Sequence, residues 1–467
     1  MVLANSYKIE QYDPEVLREY DIRGIVDKNL TVNTAYTIGR TFGHVVHSQS
    51  SSKTIVVGYD GRKTSPKLES HLVNGLISKG IKIYRIGLVP TPLLYYSMYK
   101  LNLDSGIMVT GSHNPPNYNG FKMLLKRKSI VGKDILNIAN ISLKGKFCKD
   151  SKGIKIKKSM SRNYLNFLLK LIKIPKDIKV AWDPGNGSAG KIIYDLTKRI
   201  DGKHFLINEK IDGNFPSHHP DPTVPKNLKQ LIKLVKNKKC DVGFAFDGDG
   251  DRLGVVDNKG NIIWADKVVA FLARDVLKKK PNSKIILDIK TSQVVFDEIK
   301  KLKGIPILWK TGHSLIKKKM KEIKSVFAGE MSGHIFFGDS YYGFDDAIYA
   351  AIRFLNLYSI LDKPLSEILK EIPKSYSTPE LRFSTSETEK FVIIKKLKAK
   401  LKKEKKKFIA IDGVRYVTKD GWWLARASNT QNIIVARCES FNKNNLKKIK
   451  ESLRENLKKC DFKITKI

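Results

Sequence analysis

Short apolar runs alternate with amphipathic stretches along this chain, and the alternation starts afresh at intervals. KTIVVGYD reads as a strand ending at Asp60, SPKLESHLVNGLISKG as a helix, and IKIYRIG as a second strand. SGIMVTGSHNPP reads as a third strand running into a loop. Parallel strands need a crossover, usually a helix, so this order predicts an α/β domain with a largely parallel sheet. A basic stretch, Lys144–Lys157, reads as a linker. The pattern resumes at IKVAWDPGNGSAGKIIYDLTKRI as strand, Gly-rich turn and helix, then gives two strands flanking an acidic loop in DVGFAFDGDGDRLGVVDNKG. A third unit begins near Ile262 and runs through VFAGEMSGHIFF to the helix DDAIYAAIRFLNLYS. Pro and Ser in IPKSYSTPE mark a last boundary, beyond which strands and Lys-rich helices alternate. At ~100–200 residues per domain, 467 residues make three or four domains.

Charge narrows the partners. Lys and Arg number 87 against 46 Asp and Glu, a net charge of +41. Such a field draws anions: nucleic acid, acidic lipid or phosphorylated metabolites. The excess is mostly Lys and is spread over the whole length, and runs such as Lys395–Lys407 read as solvated helix faces. With no zinc finger or RNP box beside it, no nucleic-acid partner is expected. Four scattered cysteines, Cys148, Cys240, Cys438 and Cys460, form no C-x-x-C pair and favour a reducing, cytoplasmic setting. No run approaches the ~18 apolar residues of a membrane span, and the start, MVLANSYKIEQYDPEVLREYD, lacks a signal-peptide layout.

Three carboxylates at i, i+2 and i+4 stand in DGDGDR, at Asp247, Asp249 and Asp251. In an extended segment they point to one side, and Gly248 and Gly250 let the loop fold tightly. Hard oxygen ligands so placed suit Mg²⁺ and leave room for water or a phosphate oxygen. An EF-hand is excluded, because Arg252 occupies its sixth position and Asn258 its twelfth. In TGSHNPPNYNG, Ser112 sits on a turn shaped by Gly111, Pro115 and Pro116, open to approach from several sides. A serine so placed suits a covalent phosphate carrier if a neighbour activates it, and His113 and Lys122 are at hand. In GEMSGH, Glu330 and Ser332 can face paired hydroxyls, and His334 can serve a phosphate or a proton. In RASNT, Arg426, Ser428, Asn429 and Thr430 make a phosphate cradle, because guanidinium binds phosphate oxygens bidentately. GNGSAG competes as a dinucleotide fingerprint, with Glu209 ~20 residues on, but Asp183 and Pro184 intervene after the strand, and tight helix–sheet packing is the preferred role of its glycines. There is no Walker A run. His218 and His219 lie in a Pro-rich loop and read as structural.

Taken together, EYDIRG, GYDGR, TGSHNPPNYNGFK, DPGNG, DGNFPSHHPDP, DGDGDR, WKTGH, GEMSGH, GFDDAI and RASNT, in this order, resemble the α-D-phosphohexomutase family, in particular its bifunctional phosphomannomutase/phosphoglucomutase group. The resemblance implies four domains around a central cleft: three similar mixed-sheet α/β domains and a smaller C-terminal α+β domain. The expected divisions are 1–157 with the phosphoserine, 158–261 with the metal, 262–373 with the sugar site and 374–467 with the phosphate site. It implies a phosphohexose mutase that exchanges hexose 1-phosphate and 6-phosphate, of mannose or glucose, through a 1,6-bisphosphate. Carried over, Ser112 is the phosphoserine, and one Mg²⁺ is held by Asp247, Asp249, Asp251 and a phosphoserine oxygen. Arg252, Tyr20, Arg23, Lys122, Lys290 and His313 line the cleft; Lys122, His313 and Arg23 are the candidate bases, a neutral His having the most suitable ordinary pKa. Glu330 and Ser332, with His334, meet the sugar, and Arg426, Ser428, Asn429 and Thr430 hold its non-reacting phosphate. Glucose or mannose 1,6-bisphosphate is the expected activator, a phosphorylated hexose the substrate, and a monomer the expected state. In the family a Pro commonly follows two residues after the Thr of the phosphate loop; here Gln431–Asn432 follow. Met331 stands where glucosamine-phosphate mutases typically have Gln, which favours a hexose. Phosphoglucosamine mutase and an NAD-dependent oxidoreductase are the alternatives.

Overall fold

A computed structural model describes residues 12–428, 431–462 and 464. The first sheet runs in the order Ile22–Ile25, Tyr118–Leu125, Gly106–Val109, Thr54–Tyr59, Lys82–Leu88, Ile154–Lys157. Its middle is parallel, whereas Tyr118–Leu125 lies antiparallel to both neighbours. Thr54–Tyr59 and Gly106–Val109 thus end side by side, with Asp60 and Ser112 just beyond their carboxyl ends, where open α/β sheets place ligands. The stretch expected to be a linker ends in a strand, because Ile154–Lys157 adds in parallel to the edge of this sheet. Its isoleucines, Ile154 and Ile156, are exposed, so no buried face marked it in the sequence.

The second sheet has the order Ile262–Ile263, Leu253–Asp257, Val242–Phe246, Lys179–Asp183, Lys203–Leu206. Val242–Phe246 and Leu253–Asp257 form an antiparallel hairpin whose connection is the acidic loop. The third sheet has four strands, Ile305–Trp309, Lys284–Asp288, Phe327–Gly329 and Ile335–Phe337, and the loop between the last two carries the GEMSGH segment. The last domain is an antiparallel sheet built on Gly421–Ala427 and Ile433–Ser440, covered by the helices Glu389–Lys403 and Lys443–Lys458. The fold is therefore three mixed-sheet α/β domains and a C-terminal antiparallel-sheet domain.

One apolar core runs through the first three domains, joining Val56 and Leu93, then Trp182 and Phe246, then Leu287 and Phe337. The helix Ala347–Tyr358 passes through it and is buried on nearly every side. Truncating a buried aromatic such as Trp182 here costs about 3–5 kcal/mol. The last domain keeps its own core, and meets the third through a small cluster of Ile289, Trp422 and Leu424.

Candidate active site

Asp60 and Arg62 set the serine turn. Asp60 Oδ2 accepts from Thr110 Oγ1 at 2.8 Å and from the Gly111 amide at 3.0 Å. The Arg62 guanidinium pairs with Asp60 at 3.2 Å and donates to four carbonyls, those of Ser112 (2.7 Å), Asn114 (2.6 Å), Pro115 (2.5 Å) and Tyr118 (3.0 Å). Both side chains are buried. Ser112 itself lies at φ +48°, which costs a non-glycine residue about 1–2 kcal/mol. The clamp holds that conformation, so the strained backbone and the buried ion pair belong to one device.

The acidic loop of the second domain closes on this turn. Gly248 is essential to the approach, because a Cβ there would sit 2.4 Å from the Ser112 carbonyl oxygen. Asp247, Asp249 and Asp251 are fully buried, and one oxygen of each lies within 4.8 Å of the others. Ser112 Oγ donates to Asp247 Oδ2 at 3.1 Å and stands 3.2 Å from His113 Nδ1. Lys122 Nζ bridges Asp249 Oδ2 at 2.7 Å and Asp251 Oδ2 at 2.6 Å. Burial alone would lower the Lys122 pKa; Asp249 and Asp251 outweigh it and hold the amine well above its ordinary value. Burial, then Asp251 and Asp249, push Asp247 well above the usual carboxylate range. Asp249 Oδ1 has no hydrogen-bond partner, and Asp251 Oδ1 is met by the His334 ring at 3.2 Å. Three packed buried carboxylates, one of whose oxygens is left without a partner, fit a divalent cation.

The GEMSGH loop comes in from the third domain. Glu330 Oε1 accepts from the Gly312 amide at 2.6 Å, and His334 Nδ1 stands 3.0 Å from Glu330 Oε2 and 2.9 Å from Ser332 Oγ. His334 Nε2 lies 3.2 Å from Asp251 Oδ1, so this ring ties the GEMSGH loop to the acidic loop. Against its burial, Asp251 and Glu330 raise the His334 pKa to about 9. His313 behaves oppositely: burial, then the charge of Lys317, lower its pKa and favour the neutral ring. Its Nδ1 is 3.2 Å from Asp345, which also takes Lys317 Nζ at 2.8 Å.

The remaining candidates divide into two groups. Arg23 donates to the Gly111 carbonyl at 2.5 Å and pairs with Asp21, and Arg252 Nε stands 4.0 Å from Asp247 Oδ2. Both are therefore at the serine. Tyr20 donates to the Thr311 carbonyl at 2.7 Å, beside His313. Lys290 pairs with Glu380 at 3.0 Å, and Arg426 with Asp412 at 2.9 Å; Asp412 in turn accepts from the Thr311 amide at 3.2 Å. These last two belong to the junction of the third and fourth domains and share no contact with Ser112. The Ser428 hydroxyl accepts from the Gln431 amide at 3.2 Å, while Asn429 and Thr430 lie outside the described residues.

Sequence reasoning gave no role to Asp60, Arg62, Asp345 or Lys317, although GYDGR and GFDDAI contain three of them. It missed Thr91, whose Oγ1 donates to Asp249 Oδ2 at 2.5 Å and whose amide donates to the Asp249 carbonyl at 2.8 Å. GNGSAG serves the same loop. A Cβ on Gly187 would meet the Gly248 carbonyl oxygen at 2.8 Å, and the Ser188 amide donates to that oxygen at 3.0 Å. The helix start a pyrophosphate would need is taken by protein backbone, which removes the dinucleotide reading. His218 Nε2 bonds Asp183 at 2.9 Å in a structural contact.

Models of the phosphoglucomutase/phosphomannomutase family match the chain throughout: α/β/α domain I at residues 14–147, domain II at 162–260, domain III at 264–376 and the C-terminal domain at 380–456. A phosphomannomutase/phosphoglucomutase of Pseudomonas aeruginosa is 40% identical over 96% of each chain. A phosphoglucomutase of Neisseria gonorrhoeae is 42% identical over 91% of this chain and 93% of its own. The crystal structure of a phosphoglucomutase/phosphomannomutase family protein from Burkholderia thailandensis superposes with a TM-score of 0.90 at 38% identity, covering 97% of this chain and 98% of that one.

Proposed function

Since this chain belongs to the phosphoglucomutase/phosphomannomutase family, and is thereby a hexose-phosphate mutase, we propose that Ser112 is its phosphoryl carrier and that the substrates are mannose and glucose phosphates. The observation that carries this reading is the 3.1 Å contact between Ser112 Oγ of the first domain and Asp247 of the second.

Phosphorylated Ser112 loses its phosphoryl group to the free hydroxyl of a hexose 1- or 6-phosphate. The serine O–P bond breaks, a sugar O–P bond forms, and the hydroxyl proton leaves to a base. The bisphosphate then turns end for end and returns its other phosphoryl group to Ser112. His313, held neutral, is the base. Lys122 is held protonated and acts as charge, not as base, as do Arg23 and Arg252. His334, protonated between Asp251 and Glu330, fixes the sugar loop against the acidic loop. Glu330 and Ser332 take the O3 and O4 hydroxyls, a grip indifferent to C2 that admits both sugars. Arg426 and Ser428, with Asn429 and Thr430, hold the phosphate that is not reacting, and Tyr20 and Lys290 line the path between. The family is Mg²⁺-dependent, and Asp247, Asp249 and Asp251 would hold the ion, which when bound offsets phosphoryl charge. One ion, priming by a 1,6-bisphosphate, and a monomeric cytoplasmic enzyme without nucleic-acid or membrane partners complete the proposal. No described helix is long and apolar enough to cross a membrane. Ser112→Ala tests the reading: mutase activity with either sugar falls to background, and a variant retaining more than a few per cent refutes the covalent role.

A further inference from the structure

We propose that a second pocket, between the first and third domains, binds a nucleotide-like anion, that is, a phosphoryl group on a planar or apolar body. The proposal does not depend on the phosphoserine reading. The cavity is about 270 Å³, just below the roughly 300–1,000 Å³ usual for small-molecule sites. No residue assigned above to the metal, the sugar or the phosphates lines it.

Its lining combines two chemistries. Tyr99, Tyr342 and Phe344 make an aromatic wall, with the Tyr99 and Tyr342 rings stacked at 4.2 Å. The lining also carries Lys318 and Lys321 of the helix His313–Ile323 and Arg127 and Lys128 of a hairpin of the first domain. Among the described residues none of these four cations has a carboxylate within 4.0 Å; Asp134, also on the lining, pairs with none of them. Lys321 Nζ donates to the Arg127 carbonyl at 2.6 Å, and the Arg127 guanidinium to Asn102 Oδ1 at 2.8 Å and the Leu103 carbonyl at 3.0 Å, all uncharged acceptors. Lys321 is exposed as a residue, yet partial burial of its ammonium, then Lys317, Lys128 and Arg127, lower its pKa. Cations crowded in this way repel until an anion joins them.

Two further observations point to a ligand. Ser314 is 2% exposed, its hydroxyl has no hydrogen-bond partner, and it lines this cavity. A buried hydroxyl without a partner needs an explanation, and a ligand oxygen supplies one. The hairpin turn places Lys126 at φ +53° and Arg127 at φ +56°. Two consecutive left-handed residues ordinarily call for Asn-Gly, and the chain keeps Lys-Arg at a cost of roughly 1–2 kcal/mol each. That turn brings the Arg127 guanidinium over the Tyr99 ring at 4.8 Å. The pocket also touches the catalytic cleft from behind. Lys317 Nζ lies over the Tyr95 ring at 4.3 Å and holds Asp345, whose other oxygen faces His313. An anion in the pocket competes for Lys317 and so alters the surroundings of His313.

The test titrates adenosine 5′-monophosphate into the intact wild-type enzyme and the Lys318→Ala/Lys321→Ala double variant by calorimetry, with adenosine and inorganic phosphate as partial ligands. The expected result is a single nucleotide site that weakens at least tenfold in the double variant and at least threefold in Ser314→Ala. Adenosine and phosphate alone each bind at least tenfold more weakly than the nucleotide. The nucleotide also shifts the KM for hexose 1-phosphate at least twofold in the wild type and not in the double variant, whose rate and melting temperature without nucleotide match the wild type. Absence of nucleotide binding at millimolar concentration, or unchanged affinity in the double variant, overturns the proposal. So does competitive inhibition that persists in the double variant, because it puts the nucleotide in the catalytic cleft. Phosphate binding as tightly as the nucleotide refutes the part played by the aromatic wall.

Discussion

Around Ser112 the first and second domains share hydrogen bonds that are buried on both sides, whereas Arg426 reaches the rest of the molecule through one carboxylate, Asp412. At the serine, backbone is pressed against backbone, Gly248 against Ser112, between domains that also share one apolar core. At the fourth domain the core is separate, and the junction rests on a small apolar cluster and on guanidinium groups: Arg415 donates to the carbonyls of Ile289 and Thr291, and Arg437 to that of Lys290. The difference teaches a division of labour. In the proposed reading, charge needed for phosphoryl transfer is preorganised at a buried site, and the grip on the distant phosphate falls to a domain attached through a small apolar cluster and polar contacts. Substitutions at the first end should therefore change kcat, and those at the second KM or stability.

Asp249→Ala sharpens the comparison most. It removes a proposed ion ligand and leaves Lys122 and Thr91 without a shared partner. Steady-state assays should show kcat down by about 10³-fold, equivalent to several kcal/mol, with no response to added Mg²⁺. His313→Gln comes next, with a loss of about 10²-fold. The pH profile carries the sign. A base works above its pKa, and burial puts that of His313 below the ordinary histidine value, so kcat/KM is level above that value and falls on the acid side. The acid limb disappears in His313→Gln. Arg426→Ala should raise KM about 10–100-fold with a much smaller change in kcat, the loss of one charge-assisted phosphate grip worth about 1.5–3 kcal/mol. A fall confined to kcat would break the comparison.

Glu380→Gln is the smallest. The charge of Lys290 lowers the Glu380 pKa to about 2. A carboxylate depressed in the fold adds stability above its unfolded pKa of 4.5 and loses it as pH falls towards 2. The variant should melt a few degrees lower at neutral pH and converge with the wild type in acid, while kcat stays the same. Equal melting curves at neutral pH would show that the pair adds nothing to the attachment of the fourth domain.

Legibility in the sequence follows the same divide between local and distant. The strands, the acidic hairpin and the serine turn were readable because period, Gly/Pro punctuation and carboxylate spacing are local signals. Ile154–Lys157 was not, because a short exposed edge strand lacks an apolar face. Thr91 was invisible for another reason: it lies 158 positions from Asp249 and only folding brings them together. The Arg62 clamp was equally hidden, since an arginine that closes a turn by donating to four carbonyls leaves no pattern of its own. The glycines of GNGSAG match a cofactor fingerprint, but the packing role preferred for them from the sequence is the one they serve, against the acidic loop.

The central claim is that the Ser112 oxygen carries the phosphoryl group that reaches the sugar. Enzyme bearing labelled phosphate on Ser112, located by phosphopeptide mapping and mixed with unlabelled hexose 1-phosphate in a single turnover, tests it. Label should leave the protein and appear in hexose bisphosphate and hexose 6-phosphate, one equivalent per site. Product formed while the label stays on Ser112 would contradict the account.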